Sequence, residues 1–162
     1  MSPAHQVTFE RPSDRETLFT RLFDAPRPLV WRAWTDPERL AKWWGPRGFT
    51  LTTHHMDFTV GGTWKHTMHG PDRDYPNEIV FLEIQEPERI VYKQAGDAGA
   101  VNFKTFVTFE AITENQTKVI LRQLFEKPED LQFVIETYHA DTGAIEHLTK
   151  LDDYLHSLAP VT

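Results

Sequence analysis

The stretch AIEHLTKLDDYLHSL, residues 144–158, carries Ala144, Leu148, Leu151, Leu155 and Leu158 at steps of four, three, four and three. That spacing lays one apolar stripe along one side of a helix. A helix of this kind must bury its stripe, and the chain before it supplies strand after strand to bury it on. Residues 49–58, 64–68, 78–85, 90–94, 103–111 and 118–125 are β-rich segments separated by Gly61-Gly62, Gly70-Pro71-Asp72, Pro87, Gly96 to Gly99 and residues 113–116. Connections this short favour an antiparallel meander over a parallel sheet with crossover helices. Leu131, Val134, Ile135 and Tyr138 predict earlier helical turns, with Gly143 as a candidate interruption.

Working toward the amino terminus, ETLFTRLFD (residues 16–24) reads as the first strand, stopped by Ala25-Pro26-Arg27-Pro28. Pro28 suits the first turn of a short amphipathic helix carrying Leu29, Val30, Trp31 and Trp34. Thr35 or Asp36 before Pro37-Glu38 is the signature of an N-cap, and it opens a second short helix with Leu40, Trp43 and Trp44. Gly45-Pro46 ends it. Residues 1–14 are polar with two prolines and read as a loose tail, as do residues 159–162. The expectation is one α+β domain over residues 15–158. In it, a curved antiparallel sheet of about six or seven strands grips a long C-terminal helix, and two short helices follow the first strand.

Composition narrows the function. The 162 residues include no cysteine, which removes disulfides, thiolate nucleophiles, iron–sulfur clusters and cysteine zinc sites. Seventeen Lys+Arg against twenty-four Asp+Glu give a net charge of −7, which argues against tracking a nucleic-acid backbone. No segment approaches the roughly 20 apolar residues of a membrane span. The first residues lack the basic-then-apolar pattern of a secretory signal, so a cytoplasmic protein is expected. The aromatic share is 12%, with five Trp and eleven Phe. That surplus needs a reason beyond an ordinary core.

The residues that carry the two short helices resemble a known family. Arg21-Leu22-Phe23-Asp24-Ala25-Pro26, the run from Val30 to Pro37, Leu40, Trp43-Trp44-Gly45-Pro46 and Gly48-Phe49-Thr50 are similar to single-domain bacterial homologues of the activator of the heat-shock-protein-90 ATPase. These belong to the START and birch-pollen-allergen superfamily. Asp57 with Gly61-Gly62 fits that family's Asp-x-x-x-Gly-Gly turn, and Gly143, Leu148, Leu151, Tyr154 and Leu155 fit its closing helix. The resemblance implies the helix-grip fold, with a cavity between sheet and helix that takes lipids, sterols, polyketides or other apolar molecules. One departure is Ala144, where the family usually has Trp.

Within that expectation, strand parity selects the candidate walls of a cavity: Trp34, Trp43, Phe58, Trp64, Met68, Phe81, Tyr92, Phe103 and Tyr138, with His66 as the polar contact. The competing reading of the indoles is mechanical: Trp31 and Trp34 pin two helices too short to stand alone. Because neighbours on a helix point about 100° apart, one of Trp43 and Trp44 belongs to the core and the other to the rim. The pairs His54/His55 and His66/His69 have odd separations and point to opposite faces, which works against a metal site. No cofactor is expected. Arg21 and Arg27 read as surface charges, and Glu129, Asp130, Asp141, Glu146, Asp152 and Asp153 as the solvated side of the last helix. Three functions follow: a module binding a small hydrophobic, aromatic or polycyclic molecule; a chaperone-regulating interaction module; and a cyclase- or hydrolase-type enzyme with His66 as its acid–base group. The absence of Gly-x-Ser-x-Gly, P-loop and dinucleotide motifs removes the other common chemistries.

Overall fold

The structure is a computed structural model that describes residues 6–45, 47–94, 103–138 and 140–158. The strands are β1 (Thr8–Ser13), β2 (Glu16–Phe23), β3 (Thr50–Met56), β4 (Thr63–His69), β5 (Asp74–Gln85), β6 (Arg89–Gln94), β7 (Phe103–Thr113) and β8 (Gln116–Phe125). The helices are α1 (Arg27–Thr35), α2 (Pro37–Leu40), α3 (Pro128–Tyr138) and α4 (Ala140–Ser157). One eight-stranded antiparallel sheet has the order β1-β2-β8-β7-β6-β5-β4-β3. Register shifts within the β1–β2, β3–β4, β5–β6 and β7–β8 pairs bend it.

Eight strands replace the expected six or seven. The additional one, β1, lies within the segment read as a tail, so the two short helices follow the second strand. Every residue of TFERPS is exposed, so there is no alternation to read; pairing with β2 makes it a strand. Phe9 still reaches the covered side of the sheet, where its ring stacks on Phe19 at 4.9 Å.

The inward residues of β2, β7 and β8 alternate strictly with half-buried ones: Phe19 and Phe23, Val107 and Phe109, Val119 and Leu121. On this face lies the stripe of α4, whose Leu148, Leu151 and Leu155 are buried. Gly143 lies inside α4 and interrupts no helical turn there.

A buried ion pair fastens the helix. Arg21 on β2 places Nη2 3.0 Å from Asp152 Oδ2 on α4, with the two side chains only 6% and 16% exposed. Arg21 is therefore no surface charge, and Asp152 leaves the solvated face assigned to it. Arg21 lies between Phe19 and Phe23 on the inward side of β2.

The short helices are held by local signals and by rings. Asp36 caps α2, its Oδ1 accepting from the Glu38 N–H at 3.0 Å. Thr117 donates to the Ala25 carbonyl at 2.7 Å and so anchors the approach to α1. Trp31 meets Phe109 edge-on at 5.4 Å, and Trp34 meets the same ring at 5.9 Å. In the turn after β3, Gly61 has φ +86°, and the Gly61 N–H and Gly62 carbonyl bridge to Phe81.

Candidate functional site

The five tryptophans divide by position. Trp31 belongs to the end of the core beside Phe58 and Phe109. The other four run from α1 to the sheet: Trp34–Trp43 at 4.9 Å, Trp34–Trp44 at 5.7 Å and Trp44–Trp64 at 4.9 Å, all edge to face. Trp43 is fully buried, and its Nε1 donates to the Ala33 carbonyl at 3.0 Å. Trp44 is half-buried and meets the sheet. The division of roles expected of this pair is thus resolved: Trp43 is core, and its neighbour is the ring that faces Trp64 and His66.

Helix α4 positions Trp44. His147 Nδ1 accepts from the Gly45 N–H at 2.9 Å, and Lys150 Nζ donates to the Trp44 and Phe49 carbonyls. Gly45 has φ +94°, a conformation that favours glycine, and a Cβ there would lie 2.9 Å from Met68 Cε. The His147 ring sits among Trp34, Trp43 and Trp44 at 4.5 to 5.9 Å. Burial, with the Lys150 charge second, pushes its pKa down to about 3. His147 is therefore neutral at pH 7, with Nδ1 as acceptor and the proton on Nε2.

His66 closes the series on β4. Its ring stacks on Trp64 at 3.9 Å and is only 2% exposed. Burial pushes its pKa down to about 4, against the opposing effect of the Trp64 backbone. Nδ1 has no hydrogen-bond partner among the described residues. Buried polar atoms are nearly always satisfied by protein, water or ligand. Trp34 Nε1, a donor, is likewise buried without a partner.

Register shows what lies beside His66. Thr17 on β2 pairs with Gln123 on β8, Gln123 with Thr105 on β7, Thr105 with Tyr92 on β6, and Tyr92 with Phe81 on β5. One row of hydrogen-bonding side chains thus crosses the covered face. Thr17 and Thr105 are buried, and Thr17 Oγ1 donates to Gln123 Oε1 at 3.1 Å. Burial raises the Tyr92 pKa, so the phenol is neutral. Toward His66, Gln94 donates to Asn77 Oδ1 at 2.7 Å, and Asn77 is the register partner of His66. This polar band separates two apolar clusters. The larger contains the tryptophans, Phe19 and Leu121; the smaller joins Phe103, Phe125, Leu131 and Val134 beneath α3.

Most of the expected wall residues fall in the larger cluster: Trp34, Trp43, Trp64, Phe81 and Tyr92 belong to it and Phe58 and Met68 pack against it, while Phe103 lies in the smaller one. Trp34, Trp43, Trp64 and His66 come together with Trp44 and His147. Phe58 and Phe81 pack on each other at 4.9 Å toward α1, and Met68 lies against the Gly45 turn. Tyr92 stands in the polar band. Phe103 stacks on Phe125 at 4.7 Å in the smaller cluster. Tyr138 ends α3, and its side chain lies outside the described residues. Sequence reading left the choice between Trp43 and Trp44 open and missed His147 and most of the band. His147 was within reach: it lies three residues after Ala144 and four before Leu151, on the edge of the stripe.

Other clusters offer less. Thr52, His69 and Asp74 form a hydrogen-bonded chain on exposed side chains at 2.7 and 2.8 Å. Among the described residues, no group of three or more His, Asp or Glu is arranged to hold a metal ion. Two shallow grooves, one beside Lys42, Asp153 and Tyr154 and one beside Arg11, Glu129 and Phe133, include none of the expected wall residues.

A curved antiparallel sheet closed by a C-terminal helix, with an aromatic and polar inner face, defines a helix-grip protein. The sequence profile described as "Activator of Hsp90 ATPase homolog 1-like protein" matches residues 24–156, and the chain belongs to that family. Solved structures agree in fold. A protein from Arthrobacter aurescens is 26% identical, with TM-score 0.86 over 94% of this chain and 92% of that one. A protein from Nitrosomonas europaea is 21% identical, with TM-score 0.79 over 91% and 98%. The AHSA1 protein of Silicibacter pomeroyi is 17% identical, with TM-score 0.70 over 88% and 98%. No curated protein matches the chain. No helix among the described residues is long and apolar enough to cross a membrane.

Proposed function

We propose that this protein is a small-molecule binding module that holds an aromatic or polycyclic ligand between the inner face of the sheet and the C-terminal helices. The observation that carries this is His66: buried, stacked on an indole, and with a ring nitrogen left unpartnered. Aromatic walls with a few fixed polar groups are the usual make-up of a small-molecule site. The polar band supports the same reading, because hydrogen-bonding side chains on an inner sheet face cost stability unless they are satisfied. The likeness to helix-grip proteins, a fold that often binds ligands, agrees with it.

The enzyme alternative relies on His66 as its acid–base group. With its pKa down at about 4, His66 is a weak general base at pH 7, which favours orienting a ligand over moving its proton. The chaperone alternative rests on the family's description. A cytoplasmic location remains part of the proposal.

Native mass spectrometry of the purified protein, before and after organic extraction, tests the binding module, together with a thermal-shift screen of aromatic lipophiles. A co-purifying mass or a raised Tm is expected. No mass and no shift across the screen would overturn the reading.

A further inference from the structure

The outer face of the sheet carries a separate arrangement of side chains, independent of the binding reading, which concerns the inner face. Two Thr-x-His segments lie side by side there: Thr52-Thr53-His54 on β3 and Thr67-Met68-His69 on β4. Thr52 and Thr67 are register partners, and each threonine meets the other strand's histidine. Thr52 Oγ1 lies 2.7 Å from His69 Nε2, and Thr67 Oγ1 lies 2.7 Å from His54 Nε2. Asp74 breaks the symmetry. It is the register partner of His69 on β5, and its Oδ1 lies 2.8 Å from His69 Nδ1. A carboxylate only accepts, so Nδ1 carries the proton and, in the neutral ring, Nε2 accepts from the Thr52 hydroxyl. Hydroxyl, imidazole and carboxylate thus stand in the order of a nucleophilic triad, which is recognised by geometry and roles and not by a sequence motif. Thr52 is exposed, and β3 is an edge strand, so the hydroxyl is open to approach.

We propose that Thr52, His69 and Asp74 form a hydrolytic site for short-chain carboxylic esters, with Thr52 as nucleophile, His69 as general base and Asp74 holding the imidazole in its working tautomer. Thr52 Oγ1 bonds to the ester carbonyl carbon while its proton passes to His69 Nε2. The ester C–O bond then breaks, and the alcohol leaves with that proton. Water attacks the acyl-threonine and gives a proton to His69 Nε2; the acid is released, and the proton returns to Thr52 Oγ1. Thr67 stands opposite Thr52, and with His54 Nε2–H donating to it, its own hydroxyl proton is available to the oxyanion. An open sheet face suits a short acyl group, because a long chain would need walls to hold it.

Hydrolysis of p-nitrophenyl acetate by the full chain at pH 7 tests the inference, with peptide mass spectrometry of protein quenched during turnover. Saturable release of p-nitrophenol and an acetyl group on Thr52 are expected. Thr52→Val should lose both. Thr67→Val should lower kcat by about 100-fold with KM little changed. Asp74→Asn and His54→Leu should also lower kcat at little-changed KM, Asp74→Asn by about 100-fold, with Asp74→Glu and His54→Gln restoring part of the loss. No turnover above buffer, a rate that Thr52→Val leaves unchanged, or acetyl groups on lysine and histidine alone would overturn the inference and leave the binding module standing. The acetylation map of the wild type decides the matter even if a variant fails to fold.

Discussion

Replacing Asp152 by alanine probes the grip of α4 on the sheet. In the native protein the Arg21 guanidinium is 6% exposed and its counter-ion is 3.0 Å away. Its remaining contact with the helix is a long one, Nη1 to Thr149 Oγ1 at 3.5 Å, and Nε is already unpartnered. Deleting the carboxylate leaves a buried cation with little compensation, a change that costs about 3–5 kcal/mol. For a chain of this size each kcal/mol is about 2–4 °C in Tm, so a fall of about 6–20 °C is expected. The converse change, Arg21→Met, should cost less. It keeps most of the buried stem, and Asp152, which also lies 3.3 Å from the exposed His156, retains access to water. The double variant Arg21→Met/Asp152→Leu should recover to within about 1 kcal/mol of wild type, because a packed apolar pair replaces an ion pair at little net cost. Urea unfolding of all four proteins, with unchanged m-values, ranks their stabilities. If Asp152→Ala lost less than about 1 kcal/mol, the guanidinium would have to be hydrated, and the account of how helix and sheet are fastened would fail.

Further outcomes follow from individual contacts. His66 and His147 have folded-state pKa values of about 4 and about 3, below the unfolded value. The unfolded chain therefore binds protons first, and stability falls as pH drops from about 6.5 through about 4, with His66 alone contributing a loss of roughly 3 kcal/mol. Urea midpoints in His66→Phe should be visibly flatter over that window; an unchanged pH dependence would contradict it. In the turn after β3, Gly61→Ala meets no atom within 4 Å but keeps a positive φ, and should cost about 1–2 kcal/mol. Gly62→Ala has ordinary φ, yet its Cβ would collide with the Asp57 carbonyl, so it should cost more than Gly61→Ala by thermal melt. Thr117→Val removes the 2.7 Å bond to the Ala25 carbonyl at a fully buried site, with an expected loss of about 1–3 kcal/mol in Cm-derived stability.

Much of the fold was legible because burial and local chemistry agree. The strands β4 to β8 alternate or carry apolar runs, Asp36-Pro37-Glu38 announces α2, and Ala144 to Leu155 announces α4. Strand β1 was hidden because its exposed residues follow no period. The ion pair was hidden for a different reason: a long basic side chain and an acidic residue, each conventional on a surface, become partners only when α4 crosses β2. At the site, parity was enough to put Trp64, His66 and Met68 on one face. It could not choose between Trp43 and Trp44, since that depends on how the Gly45 turn is tied to His147. Nor could it align Thr17, Gln123, Thr105 and Tyr92, which come from four strands and meet only through register.

The central claim is that His66 is the polar contact of a ligand held against the inner face of the sheet. The direct measurement is a 15N NMR spectrum of the histidine ring nitrogens with and without saturating 2-naphthol at pH 7. The His66 Nδ1 resonance is expected to move on binding, while His147 Nδ1, already bonded to the Gly45 N–H, stays in place. Saturable binding of 2-naphthol that leaves the His66 ring unmoved would put the ligand elsewhere and contradict the claim.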